Sequence, residues 1–235
     1  MRLTNDLREK IIGEIDKNYE YEGEIEGIKL HLNEHTYVPH PTTVELIQIA
    51  SGIIKRNSNI KTVADPGTGS GFIAIFLAKK FPDIKFLASD YSTKILKIAQ
   101  LNAVENNCLN IKFVRNHHSS WLHEFSASKV DFFVINPPYI SRILYKKDSF
   151  IKENPLILKE PKQAIVTSDN YGLKPIEDII KHIPIIKPKF VLIQCNNDNL
   201  YLIKKITGKV GNSTILTNSQ GIPRFILIER KSTEI

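Results

Sequence analysis

The chain has 235 residues, 42% of them hydrophobic and 24% charged, with a formal net charge of +7. That length suits one α/β domain with a sizeable core and a short extension, and the balance excludes a disordered chain. The longest apolar run, residues 72–78, is far too short to span a bilayer, and two cysteines, Cys108 and Cys195, supply neither a disulfide framework nor a Cys-x-x-Cys metal site.

Leu3, Leu7, Ile11 and Ile15 recur every four residues and predict an amphipathic helix. Gly23 and Gly27 punctuate the next segment, and Ile28, Leu30 and Leu32 alternate with polar residues, the pattern of a small hairpin. Thr42-Thr43-Val44-Glu45 reads as a capping box that opens a helix running to Arg56, with Val44, Ile47, Ala50 and Ile54 on one face. From Ile60 onward strand and helix alternate. Strands are expected near 60–65, 84–90, 111–115, 130–136 and 189–195, and helices near 71–80, 92–106, 173–182 and 198–207. Segments 213–218 and 222–230, separated by Asn218-Ser219-Gln220-Gly221, read as a terminal hairpin. The expected fold class is therefore α/β: a mostly parallel, seven-stranded sheet with an antiparallel C-terminal hairpin and helices on both faces.

Two motifs carry chemistry. Val63-Ala64-Asp65-Pro66-Gly67-Thr68-Gly69-Ser70-Gly71 is a strand end followed by a glycine-rich turn into a helix. Glycines at Gly67, Gly69 and Gly71 permit a tight turn and close approach of a ligand, and the helix start offers unpaired N–H groups to an anion. The G-x-G-x-G spacing favours S-adenosylmethionine (SAM) over a dinucleotide, with Asp65, Thr68 and Ser70 counted in the same cradle. The next strand ends in Asp90, a carboxylate placed to accept from both ribose hydroxyls. Its alternative role is to cap the next helix, for which Ser92 is an equal candidate.

The second motif, Asn136-Pro137-Pro138-Tyr139, ends a buried apolar strand, where open α/β sheets place ligands. An amide or exocyclic amino nitrogen is a poor nucleophile because its lone pair is delocalised. The Asn136 side-chain oxygen and a neighbouring backbone carbonyl can accept its two hydrogens, favour a pyramidal nitrogen and aim its lone pair at a methyl group. Pro137 and Pro138 stiffen the turn and lack N–H groups. Tyr139 offers a flat face to a planar substrate group. Orientation and placed acceptors then suffice for in-line transfer, with no activated base beforehand. Paired, the motifs point to methyl transfer from SAM to an amide or amino nitrogen.

His31, His35, His40, His117, His118 and His123 form no metal-binding helix motif with a carboxylate partner, so they read as loop or surface residues and no metal is expected. Trp121, Cys108 and Cys195 read as core residues.

Several ordered segments resemble the bacterial protein-(glutamine-N5) methyltransferases, a family of Rossmann-like class I SAM-dependent enzymes that methylate the glutamine side chain of release factors, with a branch acting on a ribosomal protein. The similarity covers roughly residues 28–231. Asn33-Glu34-His35-Thr36-Tyr37-Val38-Pro39-His40-Pro41-Thr42-Thr43 is similar to the family's N-E-x-x-L-I-P-R-P-E-T. Asp65 to Gly71 resembles D-x-G-T-G-S-G, and Asn136 to Tyr139 carries NPPY intact. Glu160-Pro161-Lys162-Gln163-Ala164, followed by Gly172-Leu173, matches E-P-x-x-A with a later G-L, and Gly221 to Phe225 resembles the terminal G-x-x-R segment. The departures are His40 for arginine, Thr42 for glutamate, His117 for an aspartate that would contact the adenine amino group, and Gln194-Cys195-Asn196 for a glutamate-containing strand end that would face the cofactor. The resemblance also puts His118 beside the adenine.

The resemblance implies a methyltransferase domain over residues 28–235, preceded by a short helical extension and hairpin start over 1–27. It implies a cytoplasmic enzyme that binds SAM and methylates a glutamine amide in a release factor or ribosomal protein. Two alternatives use the same residues differently: an amino-group methyltransferase for RNA or DNA, favoured by the basic charge, and a non-catalytic methyltransferase-like binding protein. The densest basic segment, residues 142–152, follows NPPY and is expected to border the site and offer contact to RNA or the ribosome. No membrane contact is expected.

Overall fold

The structure, a computed structural model, describes residues 2–18, 20–115 and 120–230, with the backbone alone at 120–123. Helix α1 (Asn5–Asn18) buries Ile11, Ile12 and Ile15 along one stripe. Strands β1 (Glu20–Ile25) and β2 (Ile28–Asn33) pair antiparallel, and Ile25 faces Ile28 across a two-residue turn. Glu26 and Gly27 are both left-handed, with φ of 52° and 78°, as a tight hairpin turn demands.

Helix α2 (Pro41–Arg56) begins differently from the expectation. His40, not a threonine, is the N-cap: its Nδ1 accepts from the Thr42 amide at 3.2 Å. Pro41 occupies the first helical position, where its missing N–H costs nothing, so Thr42 already lies inside the helix. No capping box forms, and Glu45 instead accepts from the amide and hydroxyl of Ser219.

The main sheet is built from β3 (Thr62–Pro66), α3 (Phe72–Lys80), β4 (Lys85–Asp90), α4 (Thr93–Glu105), β5 (Ile111–Arg115), α5 (Ser120–Ala127) and β6 (Phe132–Ile135). After β6 come α6 (Arg142–Tyr145), α7 (Asp148–Glu153), a 3-10 turn (Pro155–Leu158), α8 (Lys162–Ile165), α9 (Lys174–Ile180) and α10 (Ile183–Ile186). The chain then completes the sheet with β7 (Phe190–Gln194), α11 (Leu200–Thr207), β8 (Asn212–Thr217) and β9 (Pro223–Glu229). The order is β5-β4-β3-β6-β7-β9-β8; β3 to β7 run parallel, and β9 is antiparallel to both β7 and β8. Each expected strand and long helix is present within a few residues. The helix expected over 173–182 stops at Ile180 and gives way to α10, and α5 to α8 are additional. Of these, α6, α7, α8 and α10 have only 4, 6, 4 and 4 residues, too short to repeat an amphipathic period; α5, with 8, is as long as α11.

Strand alternation sorts the core into two layers. Phe132, Val134, Leu192 and Phe225 pack with α1, α2, α3 and the first hairpin, whereas Phe133, Ile135, Val191, Ile193, Ile226 and Ile228 pack with α5, α9, α10 and α11. At the lower edge of the sheet, Asp131 accepts from the Lys61 and Thr62 amides and pairs with Lys189, tying the starts of β3, β6 and β7 together. After β3 the chain moves outward through β4 and β5, then returns to β3's other side as β6. That reversal is the topological switch point, where α/β sheets open a crevice beyond the carboxyl ends of their strands.

Candidate functional site

A cavity of about 600 Å³ lies at that switch point. Its walls include Gly67, Thr68, Gly69, Ser70 and Asp90 on one side, and Asn136, Pro137, Pro138 and Tyr139 on the other. The two motifs, far apart in sequence, meet because β3 and β6 are neighbours in the sheet.

The glycine turn is held from below. The amides of Gly67 and Thr68 both donate to the Ser89 carbonyl, at 2.7 and 2.8 Å. Thr68 Oγ1 donates to Asp65 Oδ2 at 2.6 Å. Gly67, Gly69 and Gly71 have φ of 77°, 56° and 85°, a region that side chains disfavour. The three differ in surroundings. A Cβ on Gly67 or Gly69 would meet nothing within 4 Å, whereas one on Gly71 would lie 2.9 Å from Ile75 Cδ1 and 3.2 Å from Ala99 Cβ. Gly71 is required by packing against α4; Gly67 and Gly69 leave room beside the cavity.

Asp90 accepts from the Gly69 amide at 3.2 Å and from the Ser92 amide at 3.1 Å, while Ser92 itself caps α4 through the Ile95 amide. It therefore braces the glycine turn as well as lining the cavity. Burial raises its pKa. Burial also pushes Asp65 up to about 7, against the Thr68 hydrogen bond that favours the ionised form.

Asn102 is fully buried on α4, behind the cavity wall, and supports the site in a way the sequence does not disclose. Its Nδ2 donates to the carbonyls of Ser70 (2.8 Å) and His31 (3.1 Å), and its Oδ1 accepts from the His31 amide at 2.7 Å. It fastens the glycine turn to the first hairpin. A polar residue in the stripe of Ile95, Ala99 and Ala103 is the available signal.

On the other side, Asn136 Nδ2 lies 3.4 Å from Thr43 Oγ1 of α2, a long contact that leaves the amide free to adjust. Pro137 is buried, and Tyr139 is largely so. Gln194 Nε2 donates to Tyr139 Oη at 3.3 Å. Burial, then the neighbouring Tyr37, raises the Tyr139 pKa far above the ordinary phenol range, so it stays a neutral hydroxyl.

The segment 160–173, whose motif matches have no role visible in the sequence, clamps this turn. Ile140 bridges Val166 in parallel, its amide donating to Ile165 and its carbonyl accepting from Thr167. Gly172, with φ of 75°, sits so close that a Cβ would fall 2.4 Å from the Tyr139 carbonyl. Asp169 accepts from the amides of Tyr171, Leu173 and Lys174, which fixes the return. Arg224 reaches the same cavity and donates to Asn196 Oδ1 at 3.2 Å. His40 also lines it, and burial, aided by the Arg8 and Arg224 charges, lowers its pKa to about 4.

Of the basic segment 142–152, Phe150 of α7 lines the cavity, whereas Arg142, Lys146, Lys147 and Lys152 are exposed and do not line it. His117 and His118 lie outside the described residues, as does the Trp121 side chain. Cys108 and Cys195 are buried free thiols. Among the described residues no helix is long and apolar enough to cross a membrane.

Known proteins are similar to this chain in sequence over part of its length and in fold. The chain is 39% identical over 152 residues to the release factor glutamine methyltransferase of Flavobacterium psychrophilum, covering 63% of this chain and 50% of that protein. It is 36% identical over 161 residues to the enzyme of the same name from Buchnera aphidicola, covering 68% and 54%. The chain thus spans about half the length of the curated relatives it matches. Among solved structures, the hMettl16 catalytic domain in complex with a 3′UTR hairpin superposes with a TM-score of 0.69 at 16% identity, covering 97% of this chain and 82% of that one. A ribosomal protein L11 methylase from Lactobacillus delbrueckii gives 0.51 at 20%, covering 88% and 86%. Both likenesses are of fold. The sequence relatives agree with the resemblance read from the motifs. Since residues 50–185 match the family model described as Methyltransferase small domain, more than half of the chain, it belongs to that family.

Proposed function

We propose that this protein is a SAM-dependent N-methyltransferase whose acceptor is a glutamine side-chain amide in a peptide-chain release factor or ribosomal protein. The observation that carries the reading is the apposition of Asn136, at the end of β6, with the glycine turn at the end of β3 in one cavity. The sequence relatives named as release factor glutamine methyltransferases support the acceptor class.

The residues present fit the cofactor. Gly67 and Gly69 border the cavity with open space where side chains would intrude, and Asp90 offers a carboxylate at its rim to a ribose. SAM, when bound, supplies an electrophilic methyl group on a sulfonium.

The chain's own residues do the rest. Asn136, free to adjust, presents its carbonyl end to an acceptor N–H while its Nδ2 end faces Thr43 Oγ1. A backbone carbonyl of the proline turn takes the second hydrogen, so the nitrogen lone pair points along one line. Tyr139, kept neutral, packs on the planar amide. Its hydroxyl is no base at neutral pH. As the new nitrogen–carbon bond forms, the sulfur–methyl bond would break and leave a neutral thioether, and the nitrogen would then release one proton to water, so Asn136 acts by orientation and by stabilising developing positive charge. The exposed Arg142, Lys146, Lys147 and Lys152 favour contact with ribosomal RNA or another polyanion around the acceptor.

Calorimetric titration of SAM, followed by a labelled-methyl screen of release factors, ribosomal proteins and RNA, tests the reading. Micromolar binding that weakens in Asp90→Ala, with label on glutamine, is the expected result. Label on a nucleobase would replace the acceptor class, and absence of binding would reject the reading.

A further inference from the structure

Glu160 is almost wholly buried, with 2% of its side chain exposed, so its carboxylate requires a cation. His40 lines the same cavity but does not provide one. Its Nδ1 is engaged at the start of α2, and its environment keeps the ring neutral. The cation comes from Arg8 on α1, whose guanidinium pairs with Glu160. The same guanidinium lies over the Tyr37 ring, 5.6 Å from its centroid, and its Nε donates to the Val38 carbonyl at 3.4 Å. A second pair, Lys159 with Asp16 at 2.6 Å, joins the same two segments nearer the surface.

Glu160 is followed by Pro161 and α8, and the last residue of α8, Ile165, accepts from the Ile140 amide next to Tyr139. A continuous path of contacts thus runs from α1 through Glu160 and α8 to the Asn-Pro-Pro-Tyr turn. Asn5, Arg8 and Glu9 themselves line the cavity. The geometry points to Arg8 as a positioning residue for the acceptor: α1 supplies a cation to Glu160 and thereby sets the wall against which the acceptor amide is held. His40 stands where the motif this chain resembles carries arginine.

The inference rests on the proposed reading of the cavity as an acceptor site, and its test separates the two. In the full chain, Arg8→Met keeps an unbranched, flexible side chain and removes the guanidinium with its charge, and the pair Arg8→Met with His40→Arg returns a cation from the other side. Amide hydrogen exchange at Ile140, Ala164, Val166 and Thr167 reads the wall, exchange within β3 and β4 reads the fold, and KM for a glutamine-containing acceptor peptide against the SAM Kd reads the site. Arg8→Met is expected to speed exchange in the wall and raise the acceptor KM, each by about tenfold, with β3, β4 and the SAM Kd unchanged. The paired variant is expected to recover most of both.

Wall exchange and KM at wild-type values in Arg8→Met would overturn the inference. So would loss of protection throughout the sheet, which marks a general stabiliser, and failure of His40→Arg to restore, which assigns the effect to bulk and not to the cation. If the wild-type chain methylates no glutamine acceptor, the proposed function fails, and exchange in the wall alone decides the role of Arg8.

Discussion

Gln194, the last residue of β7, donates through Nε2 to the Tyr139 hydroxyl across 3.3 Å, and so links two adjacent parallel strands at their carboxyl ends. Ile135 and Ile193 pair in register, which brings Asn136 and Gln194, the residues after them, to neighbouring positions. Gln194 Oε1 is buried without a protein hydrogen bond among the described residues. Replacing Gln194 with leucine removes that unpaired oxygen and leaves the Tyr139 hydroxyl without its partner. We expect Gln194→Leu to lower stability by about 1–3 kcal/mol in a denaturant titration. Tyr139→Phe removes only the hydroxyl and should leave the acceptor KM within about threefold, whereas Tyr139→Ala removes the ring face and should raise it more than about tenfold. Equal effects of the two Tyr139 variants would contradict a role for the ring.

The glycine turn offers a second contrast. Gly67→Ala meets open space but must hold φ at 77°, at a cost of about 1–2 kcal/mol. Gly71→Ala carries the same strain and also crowds Ile75 and Ala99, so its loss of stability should exceed that of Gly67→Ala by about 1–3 kcal/mol. Gly67→Ala, in turn, places a methyl at the cavity wall. We expect it to weaken SAM binding while remaining folded by circular dichroism. Wild-type SAM affinity in Gly67→Ala would show that the turn is not the cradle.

Proton linkage gives opposite signatures to two buried groups. His40 has its pKa lowered from 6.5 to about 4, by burial first and the Arg8 and Arg224 charges next. Between those pH values the unfolded chain holds a proton that the folded chain does not. The stability His40 contributes is full above about 6.5 and is lost as pH falls toward 4. Asp65 is raised from 3.8 to about 7 by burial, so its contribution is full below about 4 and is lost as pH rises through 7. Thermal unfolding from pH 4 to 8 should therefore show a shallower acid limb in His40→Gln and a shallower limb toward pH 8 in Asp65→Asn. An unchanged acid limb in His40→Gln would mean that His40 titrates as a solvated imidazole.

The sequence made the central sheet legible because buried parallel strands leave short apolar runs bounded by turns, and each long helix carries a full period. The glycine turn and Asn136 were legible for a different reason: the chemistry proposed for them constrains residue type as well as spacing. What did not show was anything that depends on packing between distant segments. Arg8 reads as one more charge on an amphipathic helix until the fold brings Glu160 and Tyr37 to it. Thr42-Thr43-Val44-Glu45 has the letters of a capping box, but Pro41 starts the helix two residues earlier and gives the cap to His40. Gly172 matches a motif without any reason visible in the chain; the Tyr139 carbonyl beside it supplies the reason.

The most direct test of the account is methyl transfer by the Asn136→Ala variant beside the wild-type chain. Both would be supplied with SAM and a release-factor peptide containing glutamine, and the modified residue located by mass spectrometry. A single methyl group on the glutamine side chain is expected with the wild type, and a rate at least about a thousandfold lower with Asn136→Ala, while both bind SAM with similar affinity. Full activity in Asn136→Ala would contradict the mechanism at its centre.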